Sequence, residues 1–180
     1  LDVFYPEPRE QAIAELGLSV SRRTILFGAD SARDPRKGFG LLIESIQTLL
    51  TIGYDDIGYQ IVIVGTVSEH EIKRIESLGI PYVTTGQITS RERLRGVYSA
   101  SDVVALPYVE DNLPNVMLEA LACGVPVVSF AVGGMRDVVV DGLNGGLAIP
   151  FDTHHFAHAL RRITRARIPR SIIRDWACRS

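Results

Sequence analysis

Residues 114–130 read PNVMLEALACGVPVVSF, and this stretch decides the fold class. Its first half repeats apolar residues at helical spacing, and Pro114 suits the first position of a helix, where its missing N–H costs nothing. Gly124 then separates this helix from a valine-rich run at 125–130. Continuous apolar strands of this kind are typical of a parallel sheet covered on both faces. The stretch therefore predicts a helix, a turn and a buried parallel strand, and not a membrane span.

The same alternation extends along the chain in both directions. Short β-branched runs predict strands at 24–28, 60–64, 82–84, 103–106, 125–130 and 146–149. Helical periodicity predicts helices at 39–50, 68–78, 90–99, 114–122 and 153–163. This order implies right-handed crossovers and an α/β, doubly wound open parallel sheet of the Rossmann-like type. Ligands of such sheets bind at the carboxyl ends of the strands, so the loops that follow strands are the first place to search for a site.

The composition fits one soluble domain. The 180 residues are 46% hydrophobic and 22% charged, which is enough for one substantial core. The formal net charge is −2 and the charges are scattered, so neither nucleic acid nor an anionic membrane is demanded as a partner. The two cysteines, Cys123 and Cys178, lack C-x-x-C spacing, which favours a reducing, cytoplasmic location. The chain has neither an initiator Met nor a signal-peptide pattern, and residues 1–20 have the character of a linker, so we expect an upstream domain.

The loop after the first predicted strand carries two adjacent cations, Arg36 and Lys37, followed by Gly38. It lies at the ligand-binding edge, and the helix that begins after Gly38 adds its free N–H groups to the same positive field. An anion is the natural ligand of such a loop. The alternative, in which both cations are solvated loop charges, fits these residues equally well.

A carboxylate stands inside an otherwise apolar predicted helix. Asn115 and Glu119 are four residues apart and share one helix face. Burying the Glu119 carboxylate without a partner would be costly, and a pair of sugar hydroxyls would suit it. A helix N-terminus or an arginine would also satisfy it, and from these residues alone that structural role is the better explanation.

Several segments together resemble the GT4-type glycosyltransferases with a GT-B fold. Asp111 through Glu119, followed by ALACGVPVV, resembles the family's carboxylate-x7-Glu signature. The Arg36-Lys37-Gly38 loop, DVVALP at 102–107, and GG at 133–134 with DGLNG at 141–145 resemble further family motifs in the same order. The resemblance covers essentially the whole chain. It implies the C-terminal, donor-binding half of a retaining glycosyltransferase.

The resemblance also implies roles for individual residues. Lys37, helped by Arg36, would neutralise the donor diphosphate, Glu119 would hold the ribose hydroxyls, and Asp111 would face the transferred sugar. Lys37, Asp111 and Glu119 are therefore the catalytic candidates. The other implied donor contacts are the nucleobase loop and the backbone at the start of the helix, namely Gly86, Gln87, Ile88, Asn112, Leu113, Asn115 and Val116.

The implied donor is a nucleoside diphosphate sugar, with UDP, GDP and ADP all open, and no cofactor or essential metal. A glycan or lipid-linked acceptor would bind an N-terminal domain that residues 1–180 do not include, joined through the linker-like start with DVFYP at 2–6. We therefore expect the isolated domain, which ends in a helical tail at 164–180, to be inactive. Polysaccharide biosynthesis in the cytoplasm is the expected setting, and peripheral membrane association of the full-length enzyme is compatible with it.

Two positions depart from the family pattern. Asp111 stands where the family has Glu, so cleft closure or the neighbouring Glu110 would have to compensate for one methylene. Ala29 stands where the family has Arg, and Arg33 or Arg36 would have to supply the missing guanidinium.

Other features give weaker signals. His154, His155 and His158 are expected at the surface rather than on a metal, because adjacent histidines point to different sides of a helix. The glycine pair at 133–134 fits a tight turn equally well, and the arginine-rich tail at 161–179 with Trp176 fits a solvated helix face. A non-catalytic nucleotide-binding module is the alternative function. A dehydrogenase is disfavoured because no G-x-G-x-x-G follows the first strand.

Overall fold

Parallel strands form the centre of the molecule in a computed structural model that describes residues 3–52 and 58–179. Within these residues the strands are β1 (Arg23–Ser31), β2 (Tyr59–Thr66), β3 (Tyr82–Gly86), β4 (Val103–Leu106), β5 (Val127–Phe130) and β6 (Gly145–Ala148). They pair in the order β3-β2-β1-β4-β5-β6, and every pairing is parallel. The strand order reverses between β1 and β4, so the doubly wound Rossmann-like sheet predicted from the sequence is confirmed.

Helices cover both faces of this sheet. They are α1 (Arg9–Glu15), α2 (Phe39–Thr51), α3 (Glu69–Glu76), α4 (Arg91–Ala100), α5 (Asn115–Ala122), α6 (Met135–Val138), α7 (Thr153–Ala166) and α8 (Arg170–Arg179), with a short 3-10 helix at Pro35–Lys37. On one face α7 packs on β4, β5, β6 and α2, and on the other α5 packs on β4, β5, α4 and α8. Every residue of β4 and β5 is buried as a result.

The predicted elements are all present, and capping explains how their ends differ from the prediction. Ser68 and Ser90 were predicted as first helical residues, but each lies just outside its helix as the N-cap. The Ser90 hydroxyl accepts a hydrogen bond from the N–H of Arg93 at 3.2 Å. β5 begins at Val127, two residues later than predicted, because Pro126 has no N–H to contribute to the ladder.

Two short helices were not predicted. α1 lies within the linker-like start, buries Ala12 and Ile13, and packs on α4. α6 has four residues, of which Met135 is buried. At the other end of the chain, α8 occupies most of the segment expected to be a helical tail. Among the described residues, no helix combines the length and apolarity needed to cross a bilayer.

Candidate functional site

A cavity of about 470 Å³ lies at the carboxyl ends of β1, β2 and β4, where the strand order reverses. This is the position at which doubly wound sheets bind ligands. The predicted site residues that line it are Lys37, Gln87, Ile88, Asp111, Asn115, Val116 and Glu119. The other predicted site residues, Arg36, Gly86, Asn112 and Leu113, are not part of the lining. The structure thus brings together the side chains of Lys37, Asp111 and Glu119, which are separated by up to 82 positions in the chain.

Lys37 is held in the cavity by two contacts. Its Nζ donates to Asp111 Oδ2 at 2.8 Å and lies 4.1 Å from the centre of the Tyr108 ring. Both side chains of the ion pair are 21% exposed. An ammonium group between a carboxylate and an aromatic face is fixed in position but still reachable from the cavity. A phosphate that binds Lys37 therefore has to share or replace the bond to Asp111.

Arg36 is directed elsewhere, although it neighbours Lys37 in the sequence. Its Nε and Nη2 donate to the two oxygens of Asp34 at 3.1 and 2.8 Å, and its side chain is 67% exposed. This pairing holds the pKa of Asp34 below its usual range. Asp34 also accepts from the N–H of Arg36 at 3.0 Å and so caps the 3-10 helix. Ala29 lines the cavity, whereas Arg33 and Arg36 are not among its lining residues.

The Tyr108 ring packs against the ammonium group of Lys37, and the sequence analysis did not identify Tyr108 as a site residue. Its hydroxyl donates to the carbonyl of Gly28 in β1. The side chain is 1% exposed, and burial, with a smaller contribution from Asp111, raises the pKa of this hydroxyl above its ordinary value. The signal in the sequence was its place two residues after β4, at the edge where ligands bind.

Glu119 has a tyrosine as its partner. The hydroxyl of Tyr98 on α4 donates to Glu119 Oε2 at 2.8 Å. Burial first, and then the charge of Glu119, raises the pKa of Tyr98 well above its ordinary value, so the hydroxyl stays a donor. The sequence suggested a helix N-terminus or an arginine as the structural alternative. A neutral donor leaves the carboxylate charge uncompensated, and Glu119 lines the cavity, where it can accept further hydrogen bonds.

The start of α5 adds a positive field to the same space. α5 begins at Asn115 with Pro114 as its N-cap, and Pro114, Asn115 and Val116 all line the cavity. The first N–H groups of a helix have no partner within the helix, and its N-terminus attracts anions. Lys37 and the first turn of α5 thus favour a negatively charged ligand beside Glu119.

The glycine pair at 133–134 does more than form a tight turn. A Cβ on Gly133, whose φ is +48°, would lie 2.1 Å from the carbonyl oxygen of Asp111. A Cβ on Gly134 would lie 2.0 Å from that of Asn112. Only residues without side chains allow this approach. The pair therefore supports the loop that carries Asp111.

The histidines do not contribute to the cavity. His155 and His158 line a groove on α7, where His155 Nδ1 accepts from the N–H of Ile149 at 2.9 Å. In the part of the chain that the structure describes, His, Cys, Asp and Glu side chains form no cluster of three or more that would hold a metal ion. The expectation that the donor needs no metal stays a prediction.

Comparison with known proteins identifies the family. Residues 22–166 match the family described as Glycosyl transferases group 1, and the chain belongs to it. A curated relative, the D-inositol 3-phosphate glycosyltransferase of Mycobacteroides abscessus, is 33% identical over 168 residues. The alignment covers 89% of this chain and 36% of that protein, so the chain spans little more than a third of its relative's length.

Two solved structures share the fold. The C-terminal domain of a glycosyl transferase group 1 family protein, LpcC of Francisella tularensis, is 22% identical, with a TM-score of 0.80 over 99% of this chain and 96% of that one. HepE of Anabaena, in complex with UDP and glucose, is 18% identical, with a TM-score of 0.78 over 99% of this chain and 50% of that one. The chain thus has the fold of the C-terminal domain of a GT-B glycosyltransferase.

Proposed function

We propose that this chain is the donor-binding domain of a retaining, GT4-type glycosyltransferase that transfers a sugar from a nucleoside diphosphate sugar to a glycan or lipid-linked acceptor. The observation that carries the proposal is a single cavity, at the reversal of strand order, lined by Lys37, the start of α5 and Glu119. These groups complement a diphosphate and a ribose, which are the two parts that all such donors share.

Lys37 and the N–H groups at the start of α5 bind the diphosphate in this proposal. The bond between sugar and phosphate breaks in the transfer, and negative charge accumulates on the departing diphosphate. Donors fixed in place before the reaction stabilise that charge without reorganisation. Lys37 meets this condition because Asp111 and the Tyr108 ring already fix its ammonium group.

Glu119 binds the ribose. A carboxylate is a pure acceptor, so it can take hydrogen bonds from two neighbouring hydroxyls. Tyr98 keeps the group oriented through the 2.8 Å bond to Oε2. Gln87 and Ile88 line the cavity beyond the end of β3 and are the proposed contacts of the nucleobase.

Asp111 faces the transferred sugar and gives the cavity its reactive end. HepE, which shares the fold, was solved with UDP and glucose, and this supports a nucleotide and a hexose as the bound donor. The acceptor half would come from an additional N-terminal domain, since the relative named above is much longer than this chain. No essential metal is required by the proposal, because Lys37 and α5 supply the positive charge. A cytoplasmic location is proposed with it.

Calorimetric titration of the chain with UDP, GDP and ADP tests the donor site. We expect at least one of the three to bind with a Kd of about 1 mM or below, a free energy of roughly −4 kcal/mol or better. His154→Ala, an exposed change on α7, is the control and should bind equally well. Absence of binding for all three nucleotides would refute the donor site.

Turnover separates an enzyme from a module that only binds nucleotides. Together with its acceptor domain, the domain should transfer or hydrolyse the sugar of the nucleotide it binds, and the chain alone should not. If the longer protein bound the nucleotide sugar and never released the nucleotide product, the non-catalytic alternative would replace the proposal.

A further inference from the structure

A second cavity lies at the opposite edge of the sheet, outside the donor site. It has a volume of about 160 Å³ and is lined by residues at the amino ends of three strands, Arg23 of β1, Asp102 before β4 and Pro126 before β5. The chain between α7 and α8 and the side chains of Arg9 and Arg170 close it. No residue of this cavity belongs to the donor cavity.

The charges of this cavity are strongly unbalanced. The lining contains four guanidinium groups, from Arg9, Arg23, Arg167 and Arg170, and one carboxylate, from Asp102. Asp102 accepts from Arg9 Nη2 at 2.7 Å and from Arg23 Nη1 at 3.4 Å. Burial, together with the charge of Arg9, lowers the pKa of Arg170. One carboxylate does not balance four cations, of which Arg167 is exposed and Arg9, Arg23 and Arg170 are partly buried.

Structural contacts explain part of this cluster but not all of it. Arg170 Nη2 donates to the carbonyls of Ser99 at 2.9 Å and Ser101 at 2.7 Å, and so caps the end of α4. Within residues 3–52 and 58–179, however, Arg9 Nε and Arg170 Nη1 are buried nitrogens with no hydrogen-bond partner. Buried charged donors without partners are rare in folded proteins and are commonly satisfied by a bound ion or water.

The local backbone adds to the positive field. α8 begins at Arg170, so its free N–H groups lie at the same end of the sheet as the arginines. The close approach of α8 depends on Gly124, because a Cβ there would lie 2.6 Å from the carbonyl oxygen of Arg170. A helix N-terminus beside several guanidinium groups is the usual environment of a phosphate.

We propose that this arginine cavity is a second binding site, specific for a small tetrahedral oxyanion, either inorganic phosphate or the phosphoryl group of a phosphomonoester. Its size excludes a nucleotide sugar, since pockets for ligands of that class occupy roughly 300 to 1,000 Å³. The bound anion accepts from guanidinium groups that line the cavity and balances the excess positive charge. Because Arg9 belongs to α1 and Arg170 to α8, the anion joins both terminal helices to the sheet.

Phosphate titrations test the proposal, and the donor cavity has to be excluded as the binding place. The probe is inorganic phosphate, compared with chloride at equal ionic strength, in both the original chain and Lys37→Ala. We expect phosphate to raise the Tm of both proteins and to shift the NMR resonance of the Arg9 Nε–H group. A Tm increase that disappears in Lys37→Ala would place the phosphate in the donor cavity and overturn the proposal.

Two substitutions and one control locate the anion. Arg167→Asn removes an exposed charge at a position with φ +48°, which Asn tolerates, so folding should be preserved. Arg23→Gln removes a partly buried charge. We expect phosphate affinity to fall about threefold to tenfold in the first and about tenfold or more in the second. Arg91→Gln, at the far end of α4, should change nothing.

Retention of full phosphate affinity in both folded variants would refute the site. Glycerol 3-phosphate serves as a second probe that distinguishes the two sources of the anion. If it binds at the same arginines, the site accepts phosphomonoesters, and if only inorganic phosphate binds, the ligand is the free anion.

Discussion

The ion pair between Lys37 and Asp111 allows a direct test of how the cavity binds a diphosphate. Lys37 Nζ donates to Asp111 Oδ2 at 2.8 Å, and both side chains are 21% exposed. If Lys37 is the diphosphate ligand, Asp111 competes with the nucleotide for it and also repels the phosphates. The two substitutions Lys37→Ala and Asp111→Asn should therefore change nucleotide affinity in opposite directions.

The magnitudes follow from the exposure of the pair. Lys37→Ala removes a hydrogen bond to a charged group, which is worth about 1.5 to 3 kcal/mol, or roughly ten- to hundredfold in Kd. Asp111→Asn removes the competitor but keeps its size. Partly exposed ion pairs contribute about 0.2 to 1 kcal/mol, so UDP or GDP should bind up to roughly fivefold more tightly.

A double-substitution cycle measured by calorimetry separates two effects of Asp111 on nucleotide binding, namely competition for Lys37 and electrostatic repulsion of the phosphates. In the Lys37→Ala background, Asp111→Asn can relieve only repulsion of the phosphates, so its benefit should shrink. A parallel titration with the nucleotide sugar reports the proposed contact between Asp111 and the sugar. There the gain from Asp111→Asn should be smaller than for the free nucleotide, because a sugar contact is lost.

A loss of free-nucleotide affinity in Asp111→Asn as large as that in Lys37→Ala would refute competition between Asp111 and the nucleotide for Lys37. Asp111 would then be needed to orient Lys37, and the pair would act as one unit in the bound state too. Thermal unfolding of each variant is the control, and the loss of one partly exposed ion pair should cost about 1 kcal/mol of stability or less.

Three further predictions concern other parts of the chain. Tyr98→Phe removes the 2.8 Å hydrogen bond to Glu119 and should weaken nucleotide binding by about 1 kcal/mol. Glu119→Gln loses the charged acceptor itself and should weaken binding more, whereas equal affinity of the unchanged chain and both variants by calorimetry would refute the proposed binding of ribose by Glu119. Gly133→Ala places a Cβ 2.1 Å from the Asp111 carbonyl oxygen and should reduce both nucleotide-sugar binding and Tm. The control Gly142→Ala, with φ +80° but no atom within 4 Å of the new Cβ, should lower Tm alone. Equal losses of binding in the two variants would contradict the supporting role of the glycine pair. Burial raises the pKa of the Cys123 thiol to about 12 and leaves it with no exposed surface. A thiol reagent at pH 8 should therefore label the exposed Cys178 and spare Cys123 until the protein unfolds. Mass spectrometry after digestion checks this, and labelling of Cys123 in the folded protein would contradict it.

The sheet could be predicted from the sequence because β1, β2, β4 and β5 contain continuous apolar runs between turn residues, and β3 and β6 continue the same alternation of short strands with helices. α1 could not, because Arg9–Glu15 buries only Ala12 and Ile13, and its packing on α4 rather than its periodicity holds it in place. α6 has four residues, too few for a helical period to be recognised. For the two helices that follow Ser68 and Ser90, the periodicity predicted the right element, but the first helical residue depends on the N-cap, which lies one residue earlier.

The residues of the candidate site likewise fall into those that could be predicted from the sequence and those that could not. Lys37, Asp111 and Glu119 follow from motifs, since each motif lies within a few residues of the chain. Tyr98 and Tyr108 do not, because their hydrogen bonds join residues 21 and 80 positions apart. Without the family resemblance, the sequence gave no reason to prefer Lys37 over Arg36 as the ligand of an anion. The 3-10 helix makes that choice, since it turns Arg36 back onto Asp34.

The substitution of Asp for the family's Glu at position 111 acquires a physical meaning in this geometry. A chain shorter by one methylene still reaches Lys37 at 2.8 Å, because Gly133 allows the 111–112 backbone to settle against the next turn of the chain. Held there, the carboxylate orients the ammonium group of Lys37. In the proposed function, a diphosphate that takes over Lys37 releases the Asp111 carboxylate toward the sugar. In the proposed function the same residue serves the phosphate end before binding and the sugar end afterwards, which would make Asp111 the link between donor binding and transfer.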